Sequence, residues 1–436
     1  MTELNLLVVC PSDPRNKGTL SVLIAILQEL EEMFLDDTIT FLTESPEKES
    51  EKSRVRPVQH LVPRSPTSFR KIKTTLSICR FTLWAILHRS FKIDAKWLVK
   101  PEEWETLQAY TKTDFIVACG TDALSDKYGV LPCMGALYNM FLGILLKIPT
   151  CIISQQIGPF QIGIKGRICS FLTKMILGNA RLIATRDAIS LQNLNEIGVK
   201  GPPTYATADI AFLLRPAPYE EVKQKLSLEG INLRNKPTIG INASALIYHY
   251  LPGANDEQKR KKYVRLMSQI TDYIIEEFGA IVVLLPHVFG PPDDDRIIAK
   301  EIACEAKNKG KLKLINCELT CGELKGTIGH FDLFIATRMH PLIHAISMSV
   351  PVVCVDYTFK AKALMQRINL QEQVCDISDL DFEKLKTKVR DTYSAKDRLK
   401  QKLSEGANAM EEQARLNLAL IESELRMKMP EMKEGQ

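Results

Sequence analysis

The chain has 436 residues, 45% of them hydrophobic and 25% charged, with a formal net charge of +5. That is too long for a single core and suits two soluble domains. The small positive charge, with no run of basic and interleaved aromatic residues, excludes a nucleic-acid binder.

In chain order, Asn5 to Val9 reads as a first buried strand, and the loop Pro11 to Thr19 leads into a helix from about Leu20 to Met33. Strand, glycine-bearing loop and helix open a Rossmann-type unit. Gly18 suits either a phosphate loop or a tight turn into the helix. Thr38 to Leu42 is a second strand, and Glu44 to Thr67, with four prolines, is a polar surface excursion. Ser68 to Lys92 is a basic amphipathic helix, suited to solvent or to an anionic membrane surface. Further strands are expected at 114–118, 149–154 and 182–185, with helices at 132–146, 165–177 and 188–197 between and after them. The segment Ala208 to Phe212 closes this half.

Leu213 to Pro237 is charged and proline-bearing, and is expected as the connection. The second half repeats the alternation, with strands at 238–242, 281–285, 312–315, 333–336 and 352–355. Helices at 256–278, 294–308, 322–328 and 340–348 complete it, and 381–427 is a charged helical tail. The expected organisation is two α/β Rossmann-like domains with parallel sheets. They cover 1–215 and 238–380, with 216–237 between and 381–436 as a C-terminal helical segment. Eleven scattered cysteines, several in expected strands, read as reduced thiols. The opening MTELNLLVVC lacks a basic region, so no secretory leader is expected. Met134 to Leu146 is too short an apolar run to span a membrane. The expected location is cytoplasmic, with peripheral contact at the inner membrane face through 68–92.

Chemistry concentrates in Ala336 to Lys360. One strand ends on Thr337-Arg338-Met339-His340, Pro341 takes the first helical position, and a second strand ends on Asp356-Tyr357. Ligands of open α/β sheets bind at this edge. Arg338, Lys360, a titratable His340 and a helix start describe an anion site. Arg338 either clamps the anion or forms a structural pair with Asp356. His340 and His344 share a helix face, but Pro341 and the lack of a third ligand argue against a metal. Asn242, Ser244, His287 and Asp295 follow neighbouring strand ends and can shape the same pocket. Tyr357 reads equally well as a packing residue, and Asp209 as a loop cap.

The polar strand ends also carry a resemblance. Ser154-Gln155-Gln156-Ile157-Gly158-Pro159-Phe160, Ala180 to Asp187, Ala208 to Leu214, and Arg338-Met339-His340 with Pro351 and Tyr357 to Lys360 together resemble the polysaccharide pyruvyl transferase family. The resemblance implies a GT-B-like architecture, with two Rossmann-like domains facing a cleft. It implies phosphoenolpyruvate as co-substrate, no cofactor, and a glycan or lipid-linked sugar as acceptor. Chemistry of that kind needs a proton donor and an anion clamp: His340 is the expected catalytic proton donor, since imidazole titrates near neutral pH. Arg338, Lys360, Arg186, His287 and Asn242 are expected to bind the donor. Asn16, Gly18, Gly120, Gln156 and Gly158 are expected on the acceptor side or cleft. The stretches Asn16-Lys17-Gly18-Thr19 and Cys119-Gly120-Thr121 depart from the family pattern and leave the acceptor open. The competing readings are a GT-B glycosyltransferase using a nucleotide sugar and a non-catalytic sugar-binding relative.

Overall fold

The computed structural model describes residues 4–44, 55–61, 68–120, 122–127, 129–232, 237–291 and 293–434, without the side chains of 68–73 and 428–434. Thr121 and most of the 44–67 excursion therefore lie outside the described residues, as do the side chains of Arg70, Lys71 and Lys73. The chain forms two compact units: Met1–Pro14, Val22–Leu213 and Glu412–Gln436 make the first, and Arg15–Ser21 with Leu214–Glu411 the second.

The elements begin β1 (Asn5–Val9), α1 (Lys17–Met33), β2 (Thr38–Thr43), β3 (Arg56–Gln59), α2 (Ser68–Phe91), α3 (Pro101–Lys112) and β4 (Phe115–Cys119). Then come α4 (Val130–Leu145), β5 (Thr150–Gln155), α5 (Ile164–Leu177), β6 (Leu182–Thr185), α6 (Ala188–Glu196) and β7 (Thr204–Ala206). The first sheet is wholly parallel in the order β3-β2-β1-β4-β5-β6-β7. β4 and β5 are buried throughout and β1 from Leu6 on, as the continuous apolar runs require.

The second unit carries α7 (Tyr219–Leu228), β8 (Thr238–Asn242), α8 (Asp256–Phe278), β9 (Ile281–Leu284), α9 (Asp295–Glu305), β10 (Leu312–Leu314) and α10 (Cys321–Ile328). It continues with β11 (Leu333–Ala336), α11 (Met339–Ser347), β12 (Val352–Asp356), α12 (Lys360–Arg367), β13 (Val374–Asp376), α13 (Phe382–Ser394) and α14 (Lys396–Glu434). Its sheet is again parallel, in the order β10-β9-β8-β11-β12-β13. The strand order reverses direction between β8 and β11, which is where such sheets bind ligands.

Several elements depart from the sequence expectation. The 44–67 excursion contains β3, which pairs in parallel with β2 at the sheet edge. Its four residues include Pro57, tolerated because an edge strand can lack a donor. Residues 101–112 form a helix that the apolar pattern alone does not announce. Pro101 starts it, and the Glu103 carboxylate accepts from Lys100 N at 2.8 Å. Ile210–Leu213, to which the sequence assigned no element, is a 3-10 turn, with Asp209 Oδ1 accepting from Ala211 N at 3.0 Å. The 213–237 connection contains α7, whose Val222 and Leu226 are buried and which packs on α10. From Glu412 onward the last helix belongs to the first unit, where the buried Asn417 accepts from Ser154 N at 3.0 Å and donates to Ala208 O at 3.2 Å. All eleven cysteines are free thiols. No described helix is long and apolar enough to cross a membrane.

Candidate functional site

The site grows from the reversal between β8 and β11. Asn242 ends β8 and pairs in register with Ala336, so the residues after both strands emerge side by side. Thr337 donates its hydroxyl to Asn242 O at 2.7 Å, and the Asn242 amide donates to Leu285 O at 3.1 Å. Asn242 is fully buried, and its amide nitrogen ties β8 to the loop after β9.

Arg338 follows. Its carboxylate partner is Asp295, at 2.7 Å from Nη2 and 3.0 Å from Nε, and not Asp356. Asp356 instead accepts from Thr358 N and Lys362 N, closing the turn that leads into α12. Asp295 is wholly buried and also accepts from the backbone N–H of Ala245, His287 and Val288 at 3.0 to 3.1 Å. One carboxylate thus fixes the loops after β8 and β9 and the guanidinium after β11. Burial alone disfavours a charged Arg338, but Asp295 outweighs it and holds the group cationic. The bonds to Asp295 leave the Nη1 edge of the guanidinium without a partner among the described residues.

The loop before α1 belongs to this site. Asn16 bridges Val288 in antiparallel fashion, with Lys17 N donating to His287 O at 3.1 Å and Phe289 N to Arg15 O at 2.7 Å. Asn16 then caps α1, its Oδ1 accepting from Gly18 N at 3.1 Å and Thr19 N at 3.4 Å. The first N–H groups of α1 are therefore engaged within the protein, so Gly18 marks a tight turn into a helix and not a phosphate loop. What requires glycine here is proximity: a Cβ on Gly18 would lie 2.5 Å from Nδ1 of His340. Asn16 and Gly18, expected on the N-terminal side, sit with His287 and His340 in the second unit. Lys17 is buried and pairs with Glu318 at 2.5 Å.

Alanine at position 18 offers a separable test. Alanine favours the helix by about 1 kcal/mol over glycine, so the fold should not weaken for lack of helix propensity. The same methyl displaces the His340 ring. Gly18→Ala is expected to reduce kcat by about tenfold or more while the urea midpoint stays within reach of the wild type. Unchanged kcat would remove Gly18 from the site.

α11 begins at Met339, so Pro341 is its third residue and not its first. The placement is still harmless, because none of the first-turn N–H groups has an intrahelical acceptor. His340 points from the second position. His344, one turn on, lies against His287 with ring centroids 5.6 Å apart. Neither ring nitrogen of His287 or of His344 has a hydrogen-bond partner among the described residues. Burial, helped by the neighbouring His340, Arg338 and Lys17, pushes His287 well below the usual histidine range. Burial, then His287, Lys325 and His340, does the same to His344. Both are held neutral and add no charge to the site. No group of three or more His, Cys, Asp or Glu among the described residues is arranged to hold a metal ion.

These two histidines set a pH dependence. Unfolded, each takes up a proton near pH ~6.5; folded, each resists it. Stability is therefore full above that pH and is lost as pH falls toward the folded values, by about 1.4 kcal/mol per pH unit per histidine. Urea midpoints recorded from neutral to mildly acid pH should fall, and His344→Gln should lessen the slope. A flat profile would contradict the buried neutral pair.

Lys360 opens α12, which packs against α11. Tyr357 faces Tyr250, with ring centroids 4.7 Å apart, at a pocket of about 310 Å³ also lined by Phe359, Lys362 and Asp376. A residue that the sequence did not single out is Lys325 on α10. It is buried, donates to Leu214 O at 2.7 Å, and burial lowers its pKa to about 8 despite Glu411. Asp295 was visible in sequence as an edge residue, but nothing in its spacing marks it as the partner of Arg338.

The remaining candidates lie together in the first unit. Arg186 is buried and donates to Asp209 at 3.0 Å and to the Gln156 side chain. Gln156 Nε2 reaches Gly158 O at 3.3 Å, and Gly158 N donates to Leu124 O at 2.8 Å. Gly158 has φ +67°, a conformation that glycine adopts without strain. Gly120 lies beneath the Gln155 amide. Asp209 thus pairs with Arg186 as well as capping its own loop.

Comparison with known proteins fits this geometry. The chain is similar to the amylovoran biosynthesis protein AmsJ of Erwinia amylovora, at 24% identity over 63% of this chain and 65% of that protein. Among solved structures it is similar to the UDP-GlcNAc 2-epimerase of Methanocaldococcus jannaschii, with TM-score 0.61, 15% identity, and coverage of 95% and 99%. It is also similar to the sucrose-phosphate synthase of Thermosynechococcus elongatus, with TM-score 0.57, 10% identity, and coverage of 98% and 99%. At those identities the structures speak to the GT-B-like fold alone. The polysaccharide pyruvyl transferase model matches residues 16–358, from the Asn16 cap through Arg338, His340 and the turn after β12, and the chain belongs to that family.

Proposed function

We propose that the chain moves a pyruvyl group from phosphoenolpyruvate to two hydroxyls of a sugar, forming a cyclic ketal on a cell-surface glycan or its precursor. The observation that carries the reading is the clustering of Arg338, held by Asp295, with His340 at the strand-order reversal of the second sheet. No cofactor is required beyond the co-substrate, and the proposed location is the cytoplasm, at the inner membrane face.

The chemistry needs a proton donor, an anion clamp and an acceptor. His340 protonates the methylene carbon of the enolpyruvyl group, and positive charge develops at the adjacent carbon. A sugar hydroxyl adds there and loses its proton. The C–O bond to phosphate breaks, and the second hydroxyl closes the ring. One hydroxyl proton replaces the one that His340 gave, and the other leaves with phosphate. The Nη1 edge of Arg338 and the Lys360 ammonium hold the donor's phosphate and carboxylate. Neutral His287 supplies a hydrogen bond. Asn242, Asn16 and Gly18 set the position of the groups around it. In the first unit the Gln156–Gly158 loop and Gly120 serve the acceptor. Arg186 positions that loop through Gln156, since its guanidinium is already paired with Asp209.

A second reading, transfer from a nucleotide sugar, draws on the pocket flanked by Tyr250 and Tyr357, where a base can stack beside Lys362. Incubation with phosphoenolpyruvate or with a UDP-sugar, in the presence of an acceptor glycan, separates the two. Release of phosphate from the first donor supports pyruvyl transfer, and release of UDP from the second supports the alternative. Glycan binding with neither release, unchanged in His340→Ala, would mark a non-catalytic relative.

A further inference from the structure

In the first unit, α4 packs against both α2 and α5. Their inward faces are well used: Phe81 and Trp84 of α2, Cys133 and Leu137 of α4, and Cys169 and Leu177 of α5 are all buried. α5 is apolar on its outward face as well. Ile164, Ile168, Phe171 and Met175 recur at spacings of four, three and four, which sets them in one stripe, and all are exposed. Ile162, just before the helix, is 103% exposed, Ile164 79% and Phe171 63%. α2 does the same with Leu76, Leu83 and Ile86, and Trp97 beyond its end is 78% exposed. So many large apolar groups left in water on the two helices that flank α4 require a partner.

The charge pattern says which partner. Acidic residues make up 52 of the 436 positions, yet none occurs between Asp126 and Asp187, nor between Ser68 and Ile93. Lys165, Arg167 and Lys174 are exposed on α5, and Arg89 and Lys92 are exposed at the end of α2. Arg80 is not part of this set, since it pairs with Glu103, and Asp94 pairs with His88 where α2 ends. A second copy of the chain would bring like charges together on this face. An anionic lipid surface accepts both features, with the apolar side chains entering the acyl boundary and the cations resting at the headgroups.

We propose that the outward face of α2 and α5 is a membrane-docking surface that lies in the plane of an anionic bilayer. The surface extends the 68–92 contact expected from sequence to a second helix that the sequence did not flag. It does not depend on which donor the enzyme uses.

The test is flotation of the full chain with vesicles of phosphatidylcholine containing about a third phosphatidylglycerol, against pure phosphatidylcholine. Binding is expected to the anionic vesicles and to drop about tenfold or more at about 1 M salt. Ile168→Ser with Phe171→Ser should lower partition about tenfold or more. Lys165→Gln with Arg167→Gln should lower it about tenfold on anionic vesicles only. These positions are exposed, so thermal unfolding should not change and serves as the control. Failure to float with anionic vesicles would overturn the proposal, as would full binding by the folded Ile168→Ser, Phe171→Ser variant. A solution dimer that Phe171→Ser dissociates would assign the face to a second copy instead.

Discussion

His340→Ala is expected to lower kcat by about 10²- to 10⁴-fold while phosphoenolpyruvate still binds. The ring stands at the second position of α11, against Gly18, with Arg338 two residues before it at the helix start. It is the imidazole of this cluster that the sequence motif and the sheet edge both point to. Its neighbours His287 and His344 are neutral by burial and cannot take over proton donation. On the proposed reading Arg338 and Lys360, not His340, hold the donor's anionic groups, so binding and chemistry should separate. Arg338→Ala should do the opposite and weaken donor binding first. Equal loss of binding in both variants would reassign His340 to the clamp.

Asp295→Ala is expected to destabilise the second unit by about 3 to 5 kcal/mol. The carboxylate is wholly buried, and its loss leaves the Arg338 guanidinium without its counter-charge. It also strands the N–H groups of Ala245, His287 and Val288 in the interior. Against a typical total of about 5 to 15 kcal/mol, that is a large fraction. Removing both partners should cost less than the two single changes together, because the unpaired charge goes with Arg338. Urea unfolding of the two single variants and the double variant measures it, and strict additivity would contradict the coupling.

Much of this architecture was legible because buried parallel strands read as unbroken apolar runs. β1, β4, β5, β11 and β12 each carry such a run, and Arg338 and His340 follow directly from the end of one of them. The short edge strands β3, β7 and β13 were not legible, since three or four half-exposed residues carry no periodic signal. The prolines of 213–237 masked α7, whose acidic first turn, Glu220 and Glu221, was the available sign. The larger gap concerned long-range pairing. Nothing local in Arg15–Lys17 reveals its bridge to Val288, which brings Asn16 and Gly18 beside His340. Nor does any spacing pair Arg338 with Asp295 in preference to the nearer Asp356. Arg186 was expected to bind the donor from a strand end, while its buried bond to Asp209 depends on a loop that only the folded sheet brings close.

The most direct measurement uses phosphoenolpyruvate labelled with ¹³C at its methylene carbon, an acceptor glycan and the full chain in D₂O, followed by ¹³C NMR. Pyruvyl transfer with protonation at that carbon predicts a ketal methyl signal carrying one deuterium, formed together with inorganic phosphate and lost in His340→Ala. Persistence of the vinyl signal in an active preparation that releases UDP from a UDP-sugar would contradict it.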